Sequence, residues 1–199
     1  MGQYQTLRVA TPPTVEPVSL AEAKRHCRVD TDDDNAYLTA LIQAAREWVE
    51  VYLDRALITQ QLVMTMEELP EEIYLPRPPM ATQGTATALS ITYTAPGGAT
   101  ATLSSATYRV SRYETPGEIT PIYGTTFPAN LEDENAVTVT WWAGYGDDGS
   151  KVPAAIRHAI LMLVGHWYER RAAVDNLGGN PVPFGVASLL DSQRWGSYR

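Results

Sequence analysis

The stretch PVSLAEAKRHCRVDTDDDNAYLTALIQAAREWVEVYLDRALITQ, residues 17–60, holds two helices in series and frames the rest of the chain. Ser19 stands three residues before Glu22, the spacing of a capping box in which each side chain satisfies an orphan amide. With Pro17 just ahead, this predicts a short helix over about 20–27. Four acids follow at Asp30, Asp32, Asp33 and Asp34. Beyond them Leu38, Leu41, Ile42, Ala45, Trp48, Val49 and Tyr52 recur with the 3.6-residue period of a helix, predicted over about 33–54. The acids at its start complement the positive helix N-terminus.

Downstream the pattern changes. Strand-forming runs occupy 57–66, 72–75, 87–94, 107–112, 118–123 and 136–142. Turn signals separate them: Pro76 to Pro79, Pro96-Gly97-Gly98, Pro116-Gly117 and Pro128 to Asn135. Short strands with frequent turns predict an antiparallel sheet or a small barrel-like insertion. No repeat of fixed period is present.

A third helix is expected from about Pro153, a residue suited to a first turn, to about Ala172. Its stripe is Ile156, Ala159, Ile160, Leu163, Val164 and Trp167, with Leu161 and Met162 adding apolar surface outside it. A helix apolar around so much of its circumference is buried on several sides, by its own domain or by neighbouring subunits. Leu161, Met162 and the terminal Arg170 and Arg171 are therefore candidate inter-subunit residues. Residues 176–183 read as a connector through Gly178-Gly179. The last segment, 184–199, is amphipathic but too short to be stable alone.

These readings give an α+β fold: a helical bundle of three main helices, an inserted antiparallel β-rich subdomain and a C-terminal extension. The expected divisions are an N-terminal arm (1–16), a helical core (17–56 and 150–174), a β-rich insertion (57–149) and a terminal segment (175–199).

The 199 residues carry 15 basic and 23 acidic side chains, a net charge of −8. Residues 1–150 hold −11 of this and residues 151–199 hold +3. An acidic chain is poorly suited to grip phosphates, because nucleic-acid affinity comes from displaced counterions. The asymmetry suits contact between the basic C-terminal part and an acidic surface, or an ordinary solvated exterior. No apolar run reaches the roughly 18 residues of a membrane span, and no secretory signal pattern opens the chain. The single cysteine, Cys27, excludes an internal disulfide and a cysteine metal cluster, and reads as an incidental thiol.

Catalytic motifs were tested against their chemistry. GYGDDG at 144–149 matches a dinucleotide fingerprint formally and lies between a strand and a helix. Asp147 and Asp148 would face the pyrophosphate, however, and no second parallel strand follows, so a tight turn feeding a helix is the better reading. The acids at 30–34 resemble the start of a calcium loop, but Asn35 replaces its glycine and Leu41 its final acid. His166 and Glu169 share a helix face without a metal-binding H-E-x-x-H pattern. No catalytic residue, cofactor or metal site is expected.

Residues 17–60, LPRPPM at 75–80, AVTVTWWAGYGDDGSKVPAAIRHAILMLVGHWYERRAAV at 136–174 and PFGVASLL at 183–190 together resemble the head–tail connector (adaptor, or head-completion) proteins of tailed bacteriophages. The resemblance spans about 17–190. It implies a non-enzymatic virion protein of the neck, present in host cytoplasm during assembly. Its copies would form a ring, commonly of twelve, beneath the portal protein. The ring would extend a channel through which genomic DNA passes without specific binding, and would present a face to a tail-side completion or terminator protein. No membrane partner is implied. Portal docking is expected of the C-terminal segment through Phe184, Leu189, Leu190, Arg194, Trp195, Tyr198 and Arg199; the alternative is that this segment folds back on its own subunit. Some acids would line the channel, or else serve as exterior charge. A competing reading is a β-rich carbohydrate- or partner-binding module using Trp141 and Trp142.

Overall fold

A computed structural model describes residues 6–81, 88–95, 97–112, 115–129, 131, 135–170 and 184–194, with the Phe184 side chain left aside. The chain divides into two units, one of residues 14–58 and 146–199, the other of 1–13 and 59–145. The fold is mixed α+β.

The first unit is helical. Its elements are α1 (Leu20–Cys27), α2 (Asn35–Leu53), α3 (Ala154–Glu169) and α4 (Phe184–Asp191), four helices where three main ones were expected. The Ser19 capping box forms as read: Ser19 Oγ accepts the Glu22 amide at 3.2 Å, and Glu22 Oε2 accepts the Ser19 amide at 2.8 Å. α2 begins two residues later than expected, because Asp34 makes no side-chain cap. Its carboxylate instead accepts the Tyr168 hydroxyl from the end of α3. Asp54, in the left-handed region at φ 52°, closes α2.

Leu38, Ile42, Ala45, Val49 and Leu53 of α2 are buried, as are Ile156, Ala159, Ile160, Leu163 and Val164 of α3. Pro153 precedes α3 as its N-cap rather than filling its first turn, and Arg170 caps its end. Two glycines set close approaches. A Cβ on Gly165 would stand 3.0 Å from the His26 ring of α1, and one on Gly149 would stand 2.5 Å from the Pro17 carbonyl.

Inside this unit lies a polar node that the periodicity of α2 does not announce. Arg46 is 6% exposed and Glu50 is 3% exposed. Arg46 donates Nη1 to Glu50 Oε2 at 2.9 Å and Nε to Glu16 Oε2 at 2.8 Å. Glu50 Oε1 accepts the Leu57 amide at 2.9 Å. The group ties the segment before α1 and the turn after α2 to one face of α2.

The second unit holds two antiparallel sheets. β1 (Thr6–Thr11), β2 (Gln60–Met66), β8 (Val137–Ala143), β4 (Ser90–Thr94) and β5 (Thr100–Thr102) form one, in that spatial order. β3 (Ile73–Leu75), β7 (Gly117–Pro121) and β6 (Tyr108–Ser111) form the other. β8 is central, and its residues alternate between buried and half-buried. Val137, Val139 and Trp141 pair with Met66, Met64 and Leu62 of β2. The turn at 76–81 is pinned to the end of β8, where Gly144 donates to the Pro79 carbonyl at 2.8 Å and Ala81 to that of Trp142 at 2.9 Å.

Two strands differ from expectation. Residues 6–11, read as part of an arm, form the edge strand β1 against β2. The stretch alternates weakly and is mostly exposed, so only pairing specifies it. β5 has three residues, too few for a periodic signal.

Replacing Arg46 by Met strands the buried Glu50 carboxylate. Loss of one partner from a buried pair costs about 3–5 kcal/mol, so urea denaturation of Arg46→Met should show a fall of that order.

Candidate functional site

Of the residues to which the sequence assigns function, the described ones lie in the middle and at the C-terminal cap of α3 and in and just after α4. α3 is covered by its own subunit, which explains its wide apolar surface. α1, α2 and α4 all pack on it. Arg157 donates Nη2 to Glu22 and Nε to the Pro17 carbonyl at 3.0 Å, fastening α3 to the start of α1. Leu161 and Met162 are half-buried. The Met162 methyl lies 3.5 Å from where a Gly185 side chain would begin, so α4 rests on that face of α3. Arg170 is exposed at the helix cap, and Arg171 lies outside the described residues.

α4 folds back on its own subunit. Val186 and Leu190 are fully buried, which assigns Leu190 to the subunit's own core rather than to an open docking face. Leu189 is half-buried. The end of α4 is clamped to α2. Tyr52 donates its hydroxyl to Asp191 Oδ1 at 2.6 Å, and Arg55 donates Nε to the Gln193 carbonyl at 2.7 Å. The Arg194 guanidinium lies 5.5 Å from the Tyr52 ring centroid. Tyr52 in turn stacks on Trp48, with centroids 5.0 Å apart and planes 19° from parallel. Periodicity places Trp48 and Tyr52 in the core stripe; in the structure they are half-buried, and Tyr52 receives Asp191 and Arg194. The side chains of Phe184, Trp195, Tyr198 and Arg199 and the connector at 178–179 lie outside the described residues.

The glycine-rich turn before α3 spends its polar groups internally. Asp148 Oδ1 accepts the Ser150 amide at 2.6 Å, and the Lys151 and Val152 amides bond to the Asp148 and Gly149 carbonyls. The Ser150, Lys151 and Val152 amides are therefore occupied by the turn itself, and the Asp148 carboxylate stands where a phosphate would seek those donors. A groove lined by Glu16, Ser19, Glu22, Asp147, Asp148 and Arg157 adjoins this turn.

Hydrogen bonds from the Ser19 backbone and hydroxyl, with Arg157 behind them, hold the Glu22 carboxyl below its ordinary value. Burial pushes Glu16 up against the pull of Arg46. Among the described residues no cluster of three or more His, Cys, Asp or Glu could hold a metal ion, and no helix is long and apolar enough to cross a membrane. In the β unit, Trp141 is 1% exposed and belongs to the core, so it offers no platform for a sugar.

Comparison with known proteins bears on this arrangement. Residues 17–104 match the family model described as phage gp6-like head-tail connector protein. A search of curated proteins found no match. Among solved structures, the chain is similar to one in the neck of an empty gene transfer agent (GTA) particle computed with C6 symmetry. That pair has a TM-score of 0.76 and 22% identity, covering 96% of this chain and 95% of the other. A chain in the virion of the native GTA particle gives 0.74 at 22% identity, over the same shares. One in the native GTA neck computed with C12 symmetry gives 0.69 at 23%, again over 96% and 95%. At these identities the likeness establishes the fold.

Two expectations follow from the site. Because the Glu22 pKa is depressed in the folded state, its contribution is full above the unfolded carboxyl value near 4.5 and is lost as pH falls through the folded value. Glu22→Gln should therefore flatten the acid limb of a stability-versus-pH curve. Tyr52→Phe removes one clamp bond, worth about 1 kcal/mol. Amide exchange in α4 should quicken by about fivefold, with exchange in α2 unchanged.

Proposed function

We propose that this chain, whose residues 17–104 match the head–tail connector family model, is a structural subunit of the neck of a phage-like particle. Several copies of it would close into a ring that continues the DNA channel below the portal. The observation that carries the reading is the likeness of the whole chain, over 96% of its length, to chains solved within particle necks, together with the connector match at 17–104. The C6 and C12 symmetries belong to those particles, and they support a cyclic arrangement here.

The physical features agree with such a role. A duplex that must slide is best met by a surface that does not neutralise its phosphates. The chain supplies an excess of acid, and some of its acids line the channel. Ring closure is heterologous, with one patch of a subunit meeting a different patch of the next.

Portal docking belongs to the chain end. α4 is held to α2 and α3 by Val186, Leu190, Tyr52 and Arg55. That clamp presents Leu189 and Arg194, followed in sequence by Trp195, Tyr198 and Arg199, aromatic and basic residues of the kind that anchor interfaces. The portal is the upper partner and a tail-side completion protein the lower one.

Truncation after Arg194 tests the docking claim while leaving the α4 core intact. Particles carrying the truncated chain should lose packaged DNA and fail to acquire tails. Full, tailed particles would show that residues 195–199 do not dock. Ring assembly should also weaken as salt rises, as read by sedimentation; a ring indifferent to ionic strength would remove the electrostatic part of the reading.

A further inference from the structure

We infer that the outer face of α2 seats a second copy of this chain, which meets it with the basic end of its own α1. The inference rests on the connector reading for its cyclic form and goes beyond it by assigning the two contacting faces. α2 carries two apolar stripes. The inner one, from Leu38 to Leu53, is buried in the subunit. The outer one is Tyr37, Leu41, Ala44, Trp48 and Val51, spaced by 4, 3, 4 and 3 residues, which is the seam spacing by which one helix receives another.

Tyr37 packs on Tyr168 of α3 and Trp48 stacks on Tyr52, and the rest of the seam is at least partly exposed among the described residues. Val51 is 70% exposed. Ala40 and Ala44 are exposed, and Leu41 and Trp48 are half-buried. From Leu41 to Val51 the seam runs about 15 Å, the length of nearly three helical turns. Its small alanines allow close approach of a second backbone, while Trp48 supplies an anchor.

Charge selects the occupant. The flank of the seam is acidic, with Glu47, 58% exposed and ion-paired with Arg46 at 3.4 Å, and Asp54 one heptad further on. An acidic border opposes nucleic acid and favours a basic helix. The chain carries such a helix. The last turn of α1 holds Arg25, His26 and Lys24, the last ion-paired with Asp32 at 2.7 Å, and Arg28 caps the helix. Ala21, Arg25 and Arg28 are all exposed, at the complementary spacing of 4 and 3. A face of one kind on α2 and of the opposite kind on α1 is the arrangement that head-to-tail closure requires. This assigns to α2 a contact beside that expected of Leu161 and Met162 on α3, which are half-buried like Leu41 and Trp48.

The test places a photo-crosslinking amino acid at position 51 of the full chain, in particles and in the concentrated purified protein. The expected product is a chain-to-chain adduct whose linked peptide falls within residues 20–28. An adduct to another region of the chain, to another protein alone, or no adduct would overturn the assignment. In parallel, Val51→Glu places a charge in the seam at a site that is solvent-exposed within the subunit. It should keep the wild-type circular dichroism and melting curve while weakening self-association by about a hundredfold. Reversing Glu47 to Lys should weaken it too, and Arg25→Glu in the same chain should restore part of the loss. Wild-type assembly by Val51→Glu would overturn the assignment and leave the connector reading standing. Absence of the wild-type chain from particle necks would instead bring down both.

Discussion

Two side chains on one face of α2 hold the helical unit in order. Arg46 and Glu50 lie one helical turn apart and out of water, each satisfied by the other and by groups from elsewhere in the sequence. Glu16 arrives from the segment ahead of α1, and the Leu57 amide arrives from the turn after α2. A buried ion pair adds little net stability over an apolar equivalent, but it tolerates no misalignment, because each unmatched charge costs several kcal/mol. Its value here is positional. It fixes where the chain enters and leaves the helical unit, and so fixes the rotation of α2. That rotation commits one stripe of α2 to the core and turns the other outward.

From that rotation the rest of the unit follows. α3 occupies the centre, with α1, α2 and α4 against it. Its apolar surface, wide enough to suggest partners in another subunit, is largely consumed at home. Gly165 lets the His26 ring approach its backbone, and Gly185 does the same for Met162. α4, the helix nearest the chain end, is then locked by Tyr52 and Arg55. Residues 191–194 are thereby held at a defined point on α2.

How much of this was legible depended on the range of the interaction. The capping box at Ser19 and Glu22, the inner stripe of α2 and the alternation of β8 are local patterns, and each formed where it was read. Asp34 stands at the start of α2 as its N-cap residue, but its carboxylate accepts the Tyr168 hydroxyl, more than a hundred residues away, a pairing that no local pattern records. β1 was missed because a mostly exposed edge strand has no face that must alternate. Trp48 and Tyr52 were read as core because periodicity counts apolar residues without knowing how many neighbours are available to cover them.

The sequence by itself determined the α+β class, the three main helices around a run of strands, the glycine-rich turn before α3 and the family likeness, since all of these rest on spacing along the chain. Only the tertiary structure decided which apolar residues are spent inside the chain and which stay exposed. Leu190 went inward, Val51 stayed outside, and Arg46, a charged residue on an amphipathic helix, went to the interior. The physical reason is that burial is settled by competition among all elements for a limited core, and spacing alone does not record the outcome.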